Sequence, residues 1–109
     1  MDGKFVIIFV TCGSAIEARR IADALLRKRL IACANIVTDI ESKFRWKGKI
    51  AKAKEALVVI KTKAGNFKTV EKAIRRIHSY DVPEIIAMPI VAGCKEYLDW
   101  IDGAVKFKI

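Results

Sequence analysis

The chain has 109 residues, 53% hydrophobic and 30% charged, which is enough for one domain with a true core and too few for a second, so residues 1–109 are read as a single domain. Its 21 Lys and Arg against 12 Asp and Glu give a net charge of +9, but these cations fall in separate segments, Arg19 to Arg29, Lys47 to Lys54 and Lys72 to Arg76. Solvated helix and hairpin faces account for such a distribution, so nucleic acid is not the expected partner. No apolar run approaches the ~18 residues that span a bilayer, and no membrane role is expected. The first run, Phe5 to Val10, is shorter than a signal-peptide core and is read as a strand. Three cysteines, Cys12, Cys33 and Cys94, form no C-x-x-C pair and fit reduced thiols in a cytoplasm better than a disulfide scaffold. Glutamine is absent and asparagine occurs at Asn35 and Asn66 alone, a balance that leans toward a heat-adapted source.

Phe5-Val-Ile-Ile-Phe-Val10 is a continuous apolar run of strand length. Ser14 then begins an S-x-x-E capping box with Glu17, and Ala18, Ile21, Ala22, Leu25 and Leu26 follow at helical spacing, predicting a helix from Ala15 to Arg29. From Ile31 to Trp46 the period is two: Ala32, Ala34, Ile36, Thr38, Ile40, Ser42, Phe44 and Trp46 share one face, and Cys33, Asn35, Asp39, Glu41 and Arg45 the other. Lys47-Gly48 predicts a tight turn, with Ile50 to Thr62 returning as the partner strand. A hairpin this long leaves unpaired edges and side chains such as Phe44 and Trp46 uncovered, so another subunit is expected to cover them. Asn66 is expected to cap a second helix bearing Phe67, Val70, Ala73, Ile74 and Ile77. Glu84 to Ala92 reads as a strand with Pro89 favouring an edge, and a last helix carries Tyr97, Leu98 and Ile101.

The chain is therefore βαβ twice, joined by the hairpin. Right-handed crossovers leave one economical arrangement, an α+β, ferredoxin-like βαββαβ fold with a four-stranded antiparallel sheet, both helices on one face, and an extra C-terminal helix. An RNA-recognition domain shares this order, but its signature strand stacks bases on aromatics, and Lys54-Glu-Ala-Leu-Val-Val-Ile-Lys61 has none.

His78, the single histidine, falls at the end of the second helix, where it either caps the terminus or serves as a ligand, with Cys12 or Cys33 as further donors for a divalent cation. Cys12 enters a helix N-terminus, where a thiolate is stabilised, though a buried inert thiol fits the same position. Cys33, between Ala32 and Ala34, reads as a small core residue as readily as a ligand. Glu55, Glu84, Asp81 and Lys61 form a candidate polar cluster at strand ends. No acid, base and nucleophile set stands out, so the chain is not expected to be an enzyme and no catalytic residue is assigned.

Five spaced motifs close the argument: Arg29-Leu-Ile-Ala-Cys-Ala-Asn-Ile36; Trp46-Lys-Gly-Lys-Ile50; Glu55 followed by Ile60-Lys-Thr62; His78-x-Tyr80-x-x-Pro-Glu-Ile85 with Pro89-Ile90; and Tyr97-Leu-Asp-Trp-Ile101. In this order they closely resemble the CutA divalent-cation tolerance family over essentially the whole chain. The resemblance implies a homotrimer of ferredoxin-like subunits whose long hairpins pack on their neighbours, similar in shape to the trimeric PII signalling proteins. It also implies a cytoplasmic protein linked to tolerance of copper and other divalent metals, with no established catalytic activity. His78, Tyr80 and Glu84, with Lys61, Glu55 and Trp46, would then line a cleft between subunits. Family members usually read His-Pro-Tyr where this chain has His78-Ser79-Tyr80, and of a copper trio proposed in some relatives this chain keeps His78 but has Val10 and Ile77 at the other two positions. The other implied reading is a PII-like signalling or scaffolding trimer that binds an anionic metabolite or a protein.

Overall fold

The computed structural model describes residues 4–106. Strand β1 (Phe5–Cys12) divides by period two: Val6, Ile8, Val10 and Cys12 are buried on one side, while Ile7, Phe9 and Thr11 are half-buried on the other. Helix α1 (Ala15–Arg27) follows, and the Ser14 hydroxyl accepts the Glu17 N–H at 3.1 Å, as the capping box predicts. The helix stops two residues earlier than its apolar spacing suggests, because Arg29 takes a left-handed φ of 59° and turns the chain toward β2 (Cys33–Trp46). Lys47 and Gly48, with φ of 51° and 77°, make the two-residue turn whose twist suits a hairpin, and β3 (Lys49–Lys63) returns. Helix α2 (Phe67–Ile77), strand β4 (Ile85–Pro89) and helix α3 (Lys95–Ala104) complete the order.

The sheet runs β2-β3-β1-β4, antiparallel throughout, with β1 and β3 inside and the Pro89-ended β4 at an edge. This is the expected α+β, ferredoxin-like plan. Helices α1 and α2 both press on one sheet face, where Ile21, Leu25, Val70 and Ile74 meet Ile8, Val10, Val58 and Ile60, all fully buried. The added helix α3 goes to the opposite face, where Leu98, Ile101 and Val105 cover Phe5 and Ala32. Beyond α3 that face stays uncovered: Val37, Ile86 and Met88 are 45%, 51% and 51% exposed, and Ile7, Phe9, Leu57 and Val59 are half-buried around them.

Ala32, expected on the face of Ala34, precedes β2 and packs with Phe5 under α3. Two further sequence expectations change. Strand β2 carries a bulge: Val37 pairs with Leu57 but Ile40 pairs with Glu55, so one extra residue is absorbed where Asp39 has φ of 59°. An extra residue inverts the alternation beyond it. Ile40, Ser42, Phe44 and Trp46 therefore share the uncovered face with Cys33, Asn35 and Val37, and not the helix-covered face of Ala34 and Ile36 as a strict period of two predicts. Second, Asn66 occupies the cap position of α2 without capping it with its side chain. Its Nδ2 instead donates to the carbonyls of Leu30 (3.1 Å) and Lys106 (3.3 Å), tying α2 to the α1–β2 turn and to the chain after α3.

The helix-covered face should dominate subunit stability. We expect Ile60→Ala, which empties a wholly buried site on β3, to lower unfolding free energy by about 2–5 kcal/mol in a urea titration, with the midpoint falling and the slope unchanged.

Candidate functional site

The site is built where β1 ends, α1 begins and α2 hands over to β4. α2 cannot run on toward Pro83, and His78 leaves the helix in extended conformation (ψ 137°) while its N–H still reaches the Ile74 carbonyl at 2.8 Å. The ring turns inward and is buried. Its Nδ1 accepts the Tyr80 N–H at 3.1 Å, so the neutral ring carries its proton on Nε2, which donates to the Thr11 carbonyl at 2.7 Å.

Beside it lies Glu17. One carboxylate oxygen accepts the Gly13 N–H at 3.1 Å and the other the Ser79 N–H at 2.7 Å. Burial pushes this carboxyl up, but the bonds from Ser79 and Gly13 outweigh it and hold the group below its ordinary value. The buried Cys12 thiol completes the cluster, and the ligand atoms of Cys12, Glu17 and His78 lie within 4.8 Å of one another. Burial, with the nearby charges of Glu17 and Glu55, pushes the thiol up to about 12. The environment of Cys12 thus opposes the thiolate that a helix N-terminus favours.

Outward from this cluster is a cavity of about 850 Å³. Phe44 and Trp46 of the hairpin form one wall, and Tyr80, Val82 and Glu84 of the α2–β4 loop form the other. The Tyr80 hydroxyl donates to Glu55 Oε2 at 2.7 Å, and the Thr11 hydroxyl to Glu84 Oε1 at 3.4 Å. Burial first, and then the bond to Glu55, push the phenol up to about 12. Four carboxylates, Glu41, Glu55, Asp81 and Glu84, line the cavity against one lysine, Lys43.

Within one chain the expected cleft residues Trp46, Glu55, Tyr80 and Glu84 meet at this cavity. Lys61 does not: it lies six residues along β3 from Glu55, about 20 Å away, where its amine donates to Asn35 Oδ1. Cys33 pairs with Lys61 across the strands and donates to the same Asn35 oxygen at 3.7 Å, so it lies far from His78 in its own subunit.

The sequence profile of the CutA1 divalent ion tolerance protein matches residues 6–104. The chain belongs to the CutA1 divalent-cation tolerance family. It is 46% identical over 99 residues to the divalent-cation tolerance protein CutA of Archaeoglobus fulgidus, covering 91% of this chain and 96% of that one. To the Thermus thermophilus protein of the same name it is 41% identical over 95 residues, 87% of this chain and 92% of the relative. The solved Thermus thermophilus structure superposes with a TM-score of 0.91 at 38% identity, over 94% of this chain and 99% of that one. CutA1 from Oryza sativa superposes with a TM-score of 0.94 at 33% identity over 98% of each chain.

For a CutA1 chain the buried trio is the natural first place to seek a metal. The donor chemistry does not fit one as the residues stand. Zn²⁺ or Cu²⁺ asks for a thiolate, a free imidazole lone pair and an open carboxylate oxygen. Here the one free lone pair of His78 takes the Tyr80 N–H and its other ring nitrogen donates to the Thr11 carbonyl, so the imidazole offers no ligand atom without breaking these bonds, and each Glu17 oxygen already accepts an amide. Glu17 and His78 form a hydrogen-bonded peg joining the β1–α1 turn to the α2–β4 loop, with the buried Cys12 thiol beside them.

Sequence reasoning missed the second role of Glu17. The S-x-x-E signal announces its place in the first helical turn, but nothing local shows that its free oxygen will hold a loop 62 residues away. Since the folded pKa of Glu17 is lowered, its contribution is complete above the ordinary value of 4.5 and is lost as pH falls through the lower folded value. Glu17→Gln should therefore cost about 1–3 kcal/mol at pH 7, and the gap from the parent should shrink below about pH 4.5 in paired urea titrations.

Proposed function

We propose that this protein acts in the cytoplasm as a homotrimer that takes part in tolerance of divalent cations, Cu²⁺ among them, by holding them weakly and reversibly in clefts between subunits, without catalysing a reaction. The observation that carries this reading is the charge of the cavity, four carboxylates against one lysine in a chain of net charge +9. Carboxylate and phenol oxygens at an open, hydrated cleft suit exchangeable divalent ions, and Cu²⁺ heads the affinity order at such donors. The hydrogen-bonded Glu17 and His78, with the buried Cys12 beside them, are then the frame and Glu41, Glu55, Asp81 and Glu84 the donors.

The trimer is supported by the sheet face that α3 leaves uncovered and by Trp46, 57% exposed in the last pair before the hairpin turn. Three unpaired thiols support the cytoplasm. The Archaeoglobus fulgidus relative is described as periplasmic, so cell fractionation is the direct check. An anionic metabolite, the other occupant considered, meets like charge in this cavity.

Native mass spectrometry with stepwise Cu²⁺ tests the proposal. We expect a trimer whose copper adducts weaken at least severalfold in Glu55→Gln/Glu84→Gln and persist in His78→Ala. A monomer, or adducts lost with His78→Ala and kept in the carboxylate variant, would overturn it. Cu²⁺ should also raise the melting temperature of the parent more than that of the carboxylate variant, since a ligand of the folded state alone stabilises it.

A further inference from the structure

Six of the chain's seven arginines, Arg19, Arg20, Arg27, Arg29, Arg75 and Arg76, lie on α1, the turn that ends it, and α2. Lys28, Lys68 and Lys72 join them, and all nine side chains are exposed. The acids of the same segments are the buried Glu17, Asp23 and Glu71, so the outer surface carries nine positive charges less two, or +7. Among the described residues none of the nine cations is in an ion pair. Along the chain these cations fall in two blocks some forty residues apart, which is why the sequence suggests scattered solvated charge; the fold packs the two helices side by side on one sheet face.

We infer that the α1 and α2 layer is a sequence-independent binding surface for the phosphate backbone of nucleic acid. Guanidinium groups present a planar fork that matches phosphate oxygens in pairs, and this layer holds nearly all the chain's arginine while the hairpin is dominated by lysine. On α2, Lys68, Lys72, Arg75 and Arg76 follow at i, i+4, i+7 and i+8, a stripe of one helix face. At ~1.5 Å per residue that stripe is about 12 Å long, and one strand of a duplex presents a phosphate every ~3.4 Å of axis, so it spans three or four phosphates. The surface lies on the sheet face opposite the uncovered apolar one, so an assembly that buries the latter leaves it free. An anionic membrane suits it less well. The apolar stripe of α1 is spent in the core, and the exposed Ile16 and Leu26 are ten residues, about 15 Å, apart, leaving no apolar face to insert.

The test is fluorescence anisotropy of a labelled mixed-sequence duplex, in DNA and RNA forms, titrated with the intact protein. We expect binding to both that falls by about 10²- to 10³-fold between about 50 and 200 mM salt, the slope of four to six neutralised phosphates. Lys72→Gln/Arg75→Gln/Arg76→Gln should weaken binding by about tenfold or more, and Arg19→Gln/Arg20→Gln on the other helix should weaken it independently. The charge-matched hairpin variant Lys47→Gln/Lys49→Gln/Lys52→Gln should stay within about twofold, with circular dichroism melts and light scattering showing that all variants keep their fold and assembly. No binding at about 50 mM salt overturns the inference, as does equal weakening by helix and hairpin variants, which would reflect net charge alone. Capture by phosphatidylserine vesicles with no duplex binding overturns it in favour of a membrane surface.

Discussion

The loop wall of the cavity depends on the carboxylate of Glu17. It sits in the first turn of α1, where the helix dipole favours negative charge, and receives one amide from the turn before the helix and another from the loop after α2. Desolvating a carboxylate is costly, and that cost is met here by charge-assisted hydrogen bonds, because the group stays below its ordinary pKa in spite of burial. The consequence is mechanical. Ser79 is fixed to α1, His78 beside it is fixed to the Thr11 carbonyl, and Tyr80 and Glu84 then emerge from a loop pinned at its root. Residues that meet solvent in the cavity are thus positioned by residues that do not.

The sheet has a dry face and an unfinished one. On the helix side, alternate residues of β1 and β3 are buried, Ile8, Val10, Cys12, Val58 and Ile60 completely, and form the main core. On the other side α3 closes only the end near Phe5. The bulge at Asp39 extends the unfinished face, because it swings Ile40, Phe44 and Trp46 to the side of Val37, Leu57 and Val59. At about 25 cal/mol for each Å² of apolar surface removed from water, covering this strip with a second copy is a substantial driving force. The hairpin sets the dimensions of the subunit: β3 alone, 15 residues with 14 steps of ~3.3 Å, would extend about 46 Å, comparable to the 43 Å long axis of the molecule.

Long periodic segments made the fold legible. Phe5 to Val10, the helical spacing from Ala18 to Leu25, and Lys47-Gly48 each match one template strongly, and βαβ repeated twice leaves little topological freedom. What failed did so where one residue or one partner decides. A bulge adds a residue without altering composition, so Phe44 was placed on the wrong face by arithmetic that is sound for an unbroken strand. Asn66 looks like a cap because asparagine often is one, yet it has distant carbonyls to serve. Lys61 joins the expected cleft in sequence order but is carried away by strand register. Tyr80, Glu55, Glu84 and Trp46 were legible as cleft residues through motif resemblance, whereas the acidity of the cavity needed Glu41 to be brought in from β2.

The fold also separates charge that the sequence mixes. Its helical layer bears +7 on the outside, while the cavity lining of four carboxylates and Lys43 bears −3, in one chain of net +9. A cation approaching from solvent is first repelled by the whole molecule and then attracted by the lining, and the two effects differ in range. At physiological ionic strength the Debye length is about 8 Å, so distant helix cations are largely screened while carboxylates a few ångströms from a bound ion are not. Added salt therefore removes repulsion before it removes attraction. On the proposed reading, such a site would lose less cation affinity with rising salt than the same carboxylates would on an acidic protein, because the near field of its four side chains is the part that salt screens least.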